Sequence, residues 1–76
     1  MPHVIVKLAS GRSEEIKSRL SDAITKSVTE ILCVGDDAVS VAIEDVNSGD
    51  WTAQVYEPDI RGKWITLYKK PGYDPR

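Results

Sequence analysis

The sequence predicts an α+β fold built on one β-α-β unit. Parallel strands are joined by a long crossover helix, a short C-terminal helix follows, and oligomerisation completes the sheet. Three observations carry this reading. A β-branched run, Val4-Ile5-Val6, lies almost at the start of the chain. A helical apolar periodicity follows over about 20 residues, roughly 30 Å of helix. A run alternating between two faces then covers Val39 to Val46. Strand, long helix and strand in that order make the two strands parallel and the crossover right-handed.

The chain has 76 residues, ten basic and twelve acidic, with a net charge of −2. That length is one domain, 1–76. A chain so short buries only roughly 60% of its unfolded surface, so scaffolds of this size need disulfides, a metal or partner subunits. Cys33 is the only cysteine, which excludes an intrachain disulfide. One His and one Cys fall short of the four ligands of a structural zinc site, so no metal is expected. A homo-oligomer remains. The near-neutral charge, with Lys69-Lys70 as the only basic cluster, argues against nucleic acid. No apolar run reaches the ~20 residues of a membrane span. The N-terminus lacks the pattern of a secretory signal, so a cytoplasmic location is expected, and a lone cysteine fits a reducing compartment.

In order along the chain, His3 to Leu8 reads as a strand whose continuous apolar positions suit burial on both faces. Ala9-Ser10-Gly11 is a turn. Ser13 offers an N-cap hydroxyl, and Glu14 and Glu15 suit the positive end of a helix dipole. Ile16, Leu20, Ala23, Ile24, Val28, Ile31 and Leu32 recur at helical steps along one face, and Gly35 is the stop signal. Val39, Val41 and Ile43 then oppose Ser40, Ala42 and Glu44. Asn47-Ser48-Gly49-Asp50 is a turn, and Trp51 to Tyr56 reads as a short strand or hairpin arm. Glu57-Pro58 opens a second helix with the stripe Ile60, Trp64, Leu67 and Tyr68. Lys69 and Lys70 close it before Pro71-Gly72. Two strands and one helix leave a sheet face and both edges uncovered. Parallel sheets are normally buried on both faces, a second argument for a partner copy.

Among residues able to carry chemistry, Pro2 stands out. A small residue after Met1 permits removal of the methionine, which makes the prolyl nitrogen a secondary amine instead of an amide. A free α-amino group titrates near ~7.7–8.0, and burial or a nearby cation lowers that value toward what proton abstraction needs. On position alone, a proline after methionine is ordinary. Arg12, just before the long helix, is by itself a solvated loop residue or a bidentate carboxylate clamp beside helix amides. Trp51 is by itself a buried aromatic or a pocket wall.

Met1-Pro2, the β-rich first strand, Gly11-Arg12-Ser13-Glu14-Glu15 opening a long helix, the second strand at Val39 to Val46 and an aromatic after a Gly-containing turn together resemble the 4-oxalocrotonate tautomerase family. The resemblance covers essentially the whole chain and implies the tautomerase, or MIF-like, fold. By resemblance, Pro2 is the general base and acid that shuttles a proton in an enol or 2-oxo acid, with no cofactor. Arg12 binds the substrate carboxylate, and Trp51 takes the place of a pocket phenylalanine. The family's second arginine, in the second strand, aligns with Ser40, so Ser40 becomes a substrate-binding residue without charge. A monocarboxylate or keto-enol acid such as phenylpyruvate is therefore expected in preference to a dicarboxylate. The tail resembles a longer-tailed bacterial branch, for which a dimer is favoured over a hexamer.

Two other readings compete. Pro2 as an acid suits a dehalogenase- or decarboxylase-type member, and Glu44 or Asp45 would then have to activate water. If Met1 is retained, Pro2 nitrogen stays an amide, and the chain is a non-catalytic oligomeric binding domain. His3 is expected on the sheet face opposite to Pro2, as an exposed or structural residue. Cys33 is expected to be a buried, inert thiol, Arg61 a solvated helix residue, and Tyr56, Tyr68 and Tyr73 core or rim packing residues.

Overall fold

The β-branched run at the start of the chain forms strand β1 (His3–Ala9) in a computed structural model, which describes residues 1–75. The alternating run forms β2 (Ser40–Val46), and the two make a two-stranded sheet. The Ser40 amide donates to the Pro2 carbonyl at 3.2 Å. The leading ends of the two strands therefore lie side by side, as a parallel pair requires.

Helix α1 (Glu14–Leu32) crosses between them. Its start is as expected: the Ser13 hydroxyl accepts the Ile16 amide at 3.2 Å, and Glu14 and Glu15 occupy the first turn. Gly11, at φ 121°, takes the left-handed backbone that turns the chain from β1 toward the helix. The helix ends earlier than Gly35. Cys33 is the left-handed residue, at φ 56°, and its amide bonds to the Thr29 carbonyl. A β-carbon is strained there, and nothing in the sequence pattern marks a cysteine for that role.

The inward face of α1 differs from its apolar stripe. Lys17, Ser21, Ile24, Thr25, Val28 and Thr29 are half-buried, whereas Ile16, Leu20, Ala23, Ile31 and Leu32 are exposed. Lys17 explains part of the rotation. Its ammonium bonds Asp45 of β2 at 2.8 Å and Glu14 at 3.1 Å, tying the helix to the sheet through a polar residue.

The chain falls into two compact units, Met1–Asp45 and a second that begins at Val46. In the second, Trp51 to Tyr56 is helical and not a strand or hairpin arm. A 3₁₀ turn (Ser48–Asp50) leads into a π-helix (Thr52–Ile60) and a second 3₁₀ segment (Arg61–Thr66). Pro58 lies inside the π-helix, where its missing amide and its ring exclude the regular α-helical ladder. Trp51, Thr52, Val55, Tyr56, Glu57, Asp59 and Ile60 are all buried or half-buried. Three of these are polar, so a pattern of apolar residues misses the segment. At the junction of the two helices a β-carbon on Gly62 would lie 2.9 Å from the Glu57 carbonyl oxygen, so only glycine fits. The helix ends at Thr66, so Leu67 and Tyr68 lie beyond it.

Candidate active site

Pro2 immediately precedes β1 and is half-buried, while Met1 ahead of it is exposed. The parallel register sets the neighbours of Pro2. Because the Ser40 amide bonds to its carbonyl, Ser40 faces His3 across the sheet, and the His3 Nδ1 lies 2.6 Å from the Ser40 hydroxyl. Pro2, His3 and Ser40 thus occupy one end of the sheet. His3 and Ser40 share the open face with Ile5, Lys7, Ala42 and Glu44. Both are exposed in the single chain.

Arg12 is placed differently. It follows the opposite end of β1, seven residues away along the strand. At about 3.3 Å per residue that puts it roughly 20 Å from the Pro2 end. Its Nη1 donates to the Ala9 carbonyl at 2.8 Å, which folds the guanidinium over the turn and leaves four of its five N–H groups for other acceptors. One chain therefore brings Pro2 and Ser40 together but not Pro2 and Arg12.

Trp51 lies in the second unit. Its indole N–H donates to the Tyr73 hydroxyl at 2.9 Å, and the Tyr73 ring stands 5.8 Å from that of buried Tyr56. The tail is thereby strapped across the π-helix. A cavity of about 370 Å³ in this unit is lined by Tyr56, Arg61, Trp64 and Asp74. Arg61 is ion-paired with Glu57 at 3.2 Å, and Lys70 stacks over Trp64 at 5.5 Å.

Among the described residues no group of three or more His, Cys, Asp or Glu side chains is placed to hold a metal ion. No helix among them is long and apolar enough to cross a membrane. The one site-forming residue that sequence reasoning passed over is His3. Alternation puts it on the face away from Pro2, as expected, but the strand register also puts it against Ser40. The β-α-β topology implies parallel strands but not this register, which the Ser40 amide bond to the Pro2 carbonyl sets.

The profile of the Tautomerase family, described as tautomerase enzymes, matches residues 2–56. A protein of Xylella fastidiosa (strain 9a5c) named "Probable tautomerase" is 48% identical over 73 residues, covering 96% of this chain and 89% of that protein. Tautomerase PptA of Enterobacter sp. (strain 638) is 38% identical over 74 residues, covering 96% of this chain and 97% of its own length. Tautomerase PptA of Pectobacterium carotovorum subsp. carotovorum (strain PC1) is 35% identical with the same coverage. With its parallel strands, its long crossover helix and a match over most of its length, the chain belongs to the tautomerase family of enzymes.

Proposed function

We propose that the protein is a cofactor-independent keto-enol tautomerase of small enol or 2-oxo acids, in which Pro2, freed by removal of Met1, is the general base and acid. The observation that carries this reading is the juxtaposition at the leading end of the sheet. A half-buried proline behind a fully exposed methionine is held at its carbonyl by the Ser40 amide, at the same end of the sheet as the Ser40 side chain. Relatives named tautomerase support the reaction class over 96% of the chain.

In the enol-to-keto direction the prolyl amine takes the proton of the enol hydroxyl. The oxygen's electrons form the carbonyl, and the C=C pair takes the proton back from the prolinium at carbon. Ser40 hydrogen-bonds the oxygen on which charge develops. Arg12 binds the carboxylate, the kind of electrostatic help that often dominates such steps. The length of β1 supports an Arg12 that comes from a second copy of the chain. The exposed stripe Ile16, Leu20, Ala23 and Ile31 and the open two-stranded sheet support that copy. A dimer is the smallest assembly that supplies it. Trp51, held by Tyr73, serves as the pocket wall, and 1–76 acts as one domain.

The test is turnover of phenylenolpyruvate by Pro2→Ala and Arg12→Ala, separately and mixed. Loss of the base lowers turnover by about 10²–10⁴-fold. Unfolding and refolding the two variants together restores part of the activity, because mixed assemblies contain sites with both an intact Pro2 and an intact Arg12. Full turnover in Pro2→Ala refutes the role of the proline. Absence of any recovery on mixing refutes the shared site.

A further inference from the structure

We infer that His3 is a positioning residue that holds the Ser40 hydroxyl as a hydrogen-bond donor toward a substrate oxygen. The inference rests on the reading of Ser40 as a substrate-binding residue and names what makes a neutral serine able to do that work.

A serine hydroxyl has one proton and two lone pairs. If it spends that proton on His3, its oxygen meets a carboxylate or an enolate with lone pairs only, and the contact is repulsive. If the imidazole instead donates from Nδ1, the serine proton is free to point outward. Accepting a hydrogen bond also polarises the hydroxyl and makes it a stronger donor. The 2.6 Å separation between Nδ1 and Oγ shows that the two groups are bonded in one of these two senses. Only the sense with the proton on Nδ1 suits an anionic ligand.

The geometry leaves little freedom for another arrangement. His3 and Ser40 are cross-strand neighbours because the Ser40 amide is bonded to the Pro2 carbonyl. They lie on the same sheet face, and both are exposed in the single chain. The family's arginine at this position is a permanent donor that cannot accept. The His3–Ser40 pair gives the same polarity without a fixed charge, which favours an oxygen carrying partial charge over a second carboxylate.

His3 is the only histidine in the chain, so its ring nitrogens give unambiguous signals in a long-range ¹H–¹⁵N spectrum. The experiment uses the full chain, first alone and then with phenylglyoxylate, a 2-oxo acid that has a keto oxygen beside its carboxylate but no hydrogen to enolise. The expected result is an imidazole protonated on Nδ1, with both nitrogen signals shifting as phenylglyoxylate is added. A proton on Nε2 in the complex, or signals that phenylglyoxylate leaves unmoved, overturns the inference. Kinetics supply the second arm. His3→Leu and Ser40→Ala each raise KM for phenylenolpyruvate by about tenfold, with kcat affected less. The double variant is no worse than either single one, because the pair acts as a unit. His3→Asn, whose amide nitrogen replaces Nδ1, keeps KM near that of the parent. Additive losses, or an unchanged KM in His3→Leu, contradict the pairing. A wild-type chain with no turnover would defeat the proposed function instead. In that case the tautomer of the free protein still decides: a proton on Nδ1 upholds the pairing and one on Nε2 overturns it.

Discussion

Met1–Asp45 contains the crossover helix, all of β1 and nearly all of β2, yet none of its described side chains is buried. From Val46 onward the chain runs through 3₁₀ and π turns, and it holds the three buried residues Val46, Val55 and Tyr56. Regular secondary structure and a covered core are thus in different places. Backbone hydrogen bonds organise the first unit, which leaves a largely polar sheet face and an apolar helix stripe open. In the second unit side-chain contacts compensate for an irregular backbone: Trp51 on Tyr73, Tyr73 against Tyr56 and Lys70 over Trp64. The catalytic candidates Pro2 and Ser40 sit in the regular, uncovered part. That is where a partner copy has surface to bind and where a shared site can form.

Truncations test this contrast most strongly. Tyr56 is 3% exposed and Ile31 is 78% exposed. Tyr56→Ala costs about 3–5 kcal/mol, as large aromatic truncations in cores do. Ile31→Ala changes the stability of the isolated chain by no more than about 0.5 kcal/mol. Thermal melts at low protein concentration check both. If Ile31→Ala loses stability only as concentration rises, the helix stripe is an interface.

A gain is expected at the end of α1. Cys33 is exposed, not buried as its residue type suggests, because it caps the helix in a left-handed backbone. Its thiol reaches only the Glu30 carbonyl, at 3.8 Å, so Cys33→Gly removes strain at little cost in contacts. It stabilises by about 1 kcal/mol, offset in part by greater freedom of the unfolded chain. For a chain of this size that moves the melting temperature by about 4–8 °C. A lower melting temperature would show that the thiol's contact with the Glu30 carbonyl outweighs the backbone strain.

The smallest effect is the pH dependence of the Lys17 contact. The hydrogen bond to Asp45, then that to Glu14, raises the Lys17 ammonium above its ordinary 10.5. A raised folded-state value makes the contact stabilising below pH 10.5, and the contribution fades as pH climbs through the raised value. The melting-temperature difference between the parent and Lys17→Met is therefore constant from neutral pH to about pH 10 and shrinks above it. A difference that grows in alkali contradicts the assignment.

What was legible in the sequence follows the same division. Ser13, Glu14 and Glu15 marked the start of α1 because a cap and a helix dipole are local chemistry. β2 was legible from its period of two and β1 from its β-branched run, although β1 alternates between half-buried and exposed residues at its start and is not covered on both faces. The stop at Cys33 was not, since strain in one residue leaves no pattern. The helix at Thr52–Ile60 was not, because Pro58 reads as a helix start and polar Thr52, Glu57 and Asp59 are among its covered residues. Within the site, Pro2 and Arg12 were legible as residue types, but their separation was not, until β1 was seen to lie lengthwise between them. His3 was dismissed on alternation alone, and only the register of two strands gives it a partner.

The central claim is that the prolyl nitrogen does the chemistry, and a single covalent difference tests it. Protein made with methionine aminopeptidase inhibited retains Met1, and the purified enzyme can then remove it in vitro. Intact mass follows the loss of one methionyl residue while turnover of phenylenolpyruvate is measured on the same samples. The account predicts that activity rises in proportion to the fraction lacking Met1, from a negligible value when all of it is present. Equal turnover before and after removal would contradict it, because a chain whose Pro2 nitrogen is an amide has no base at that position.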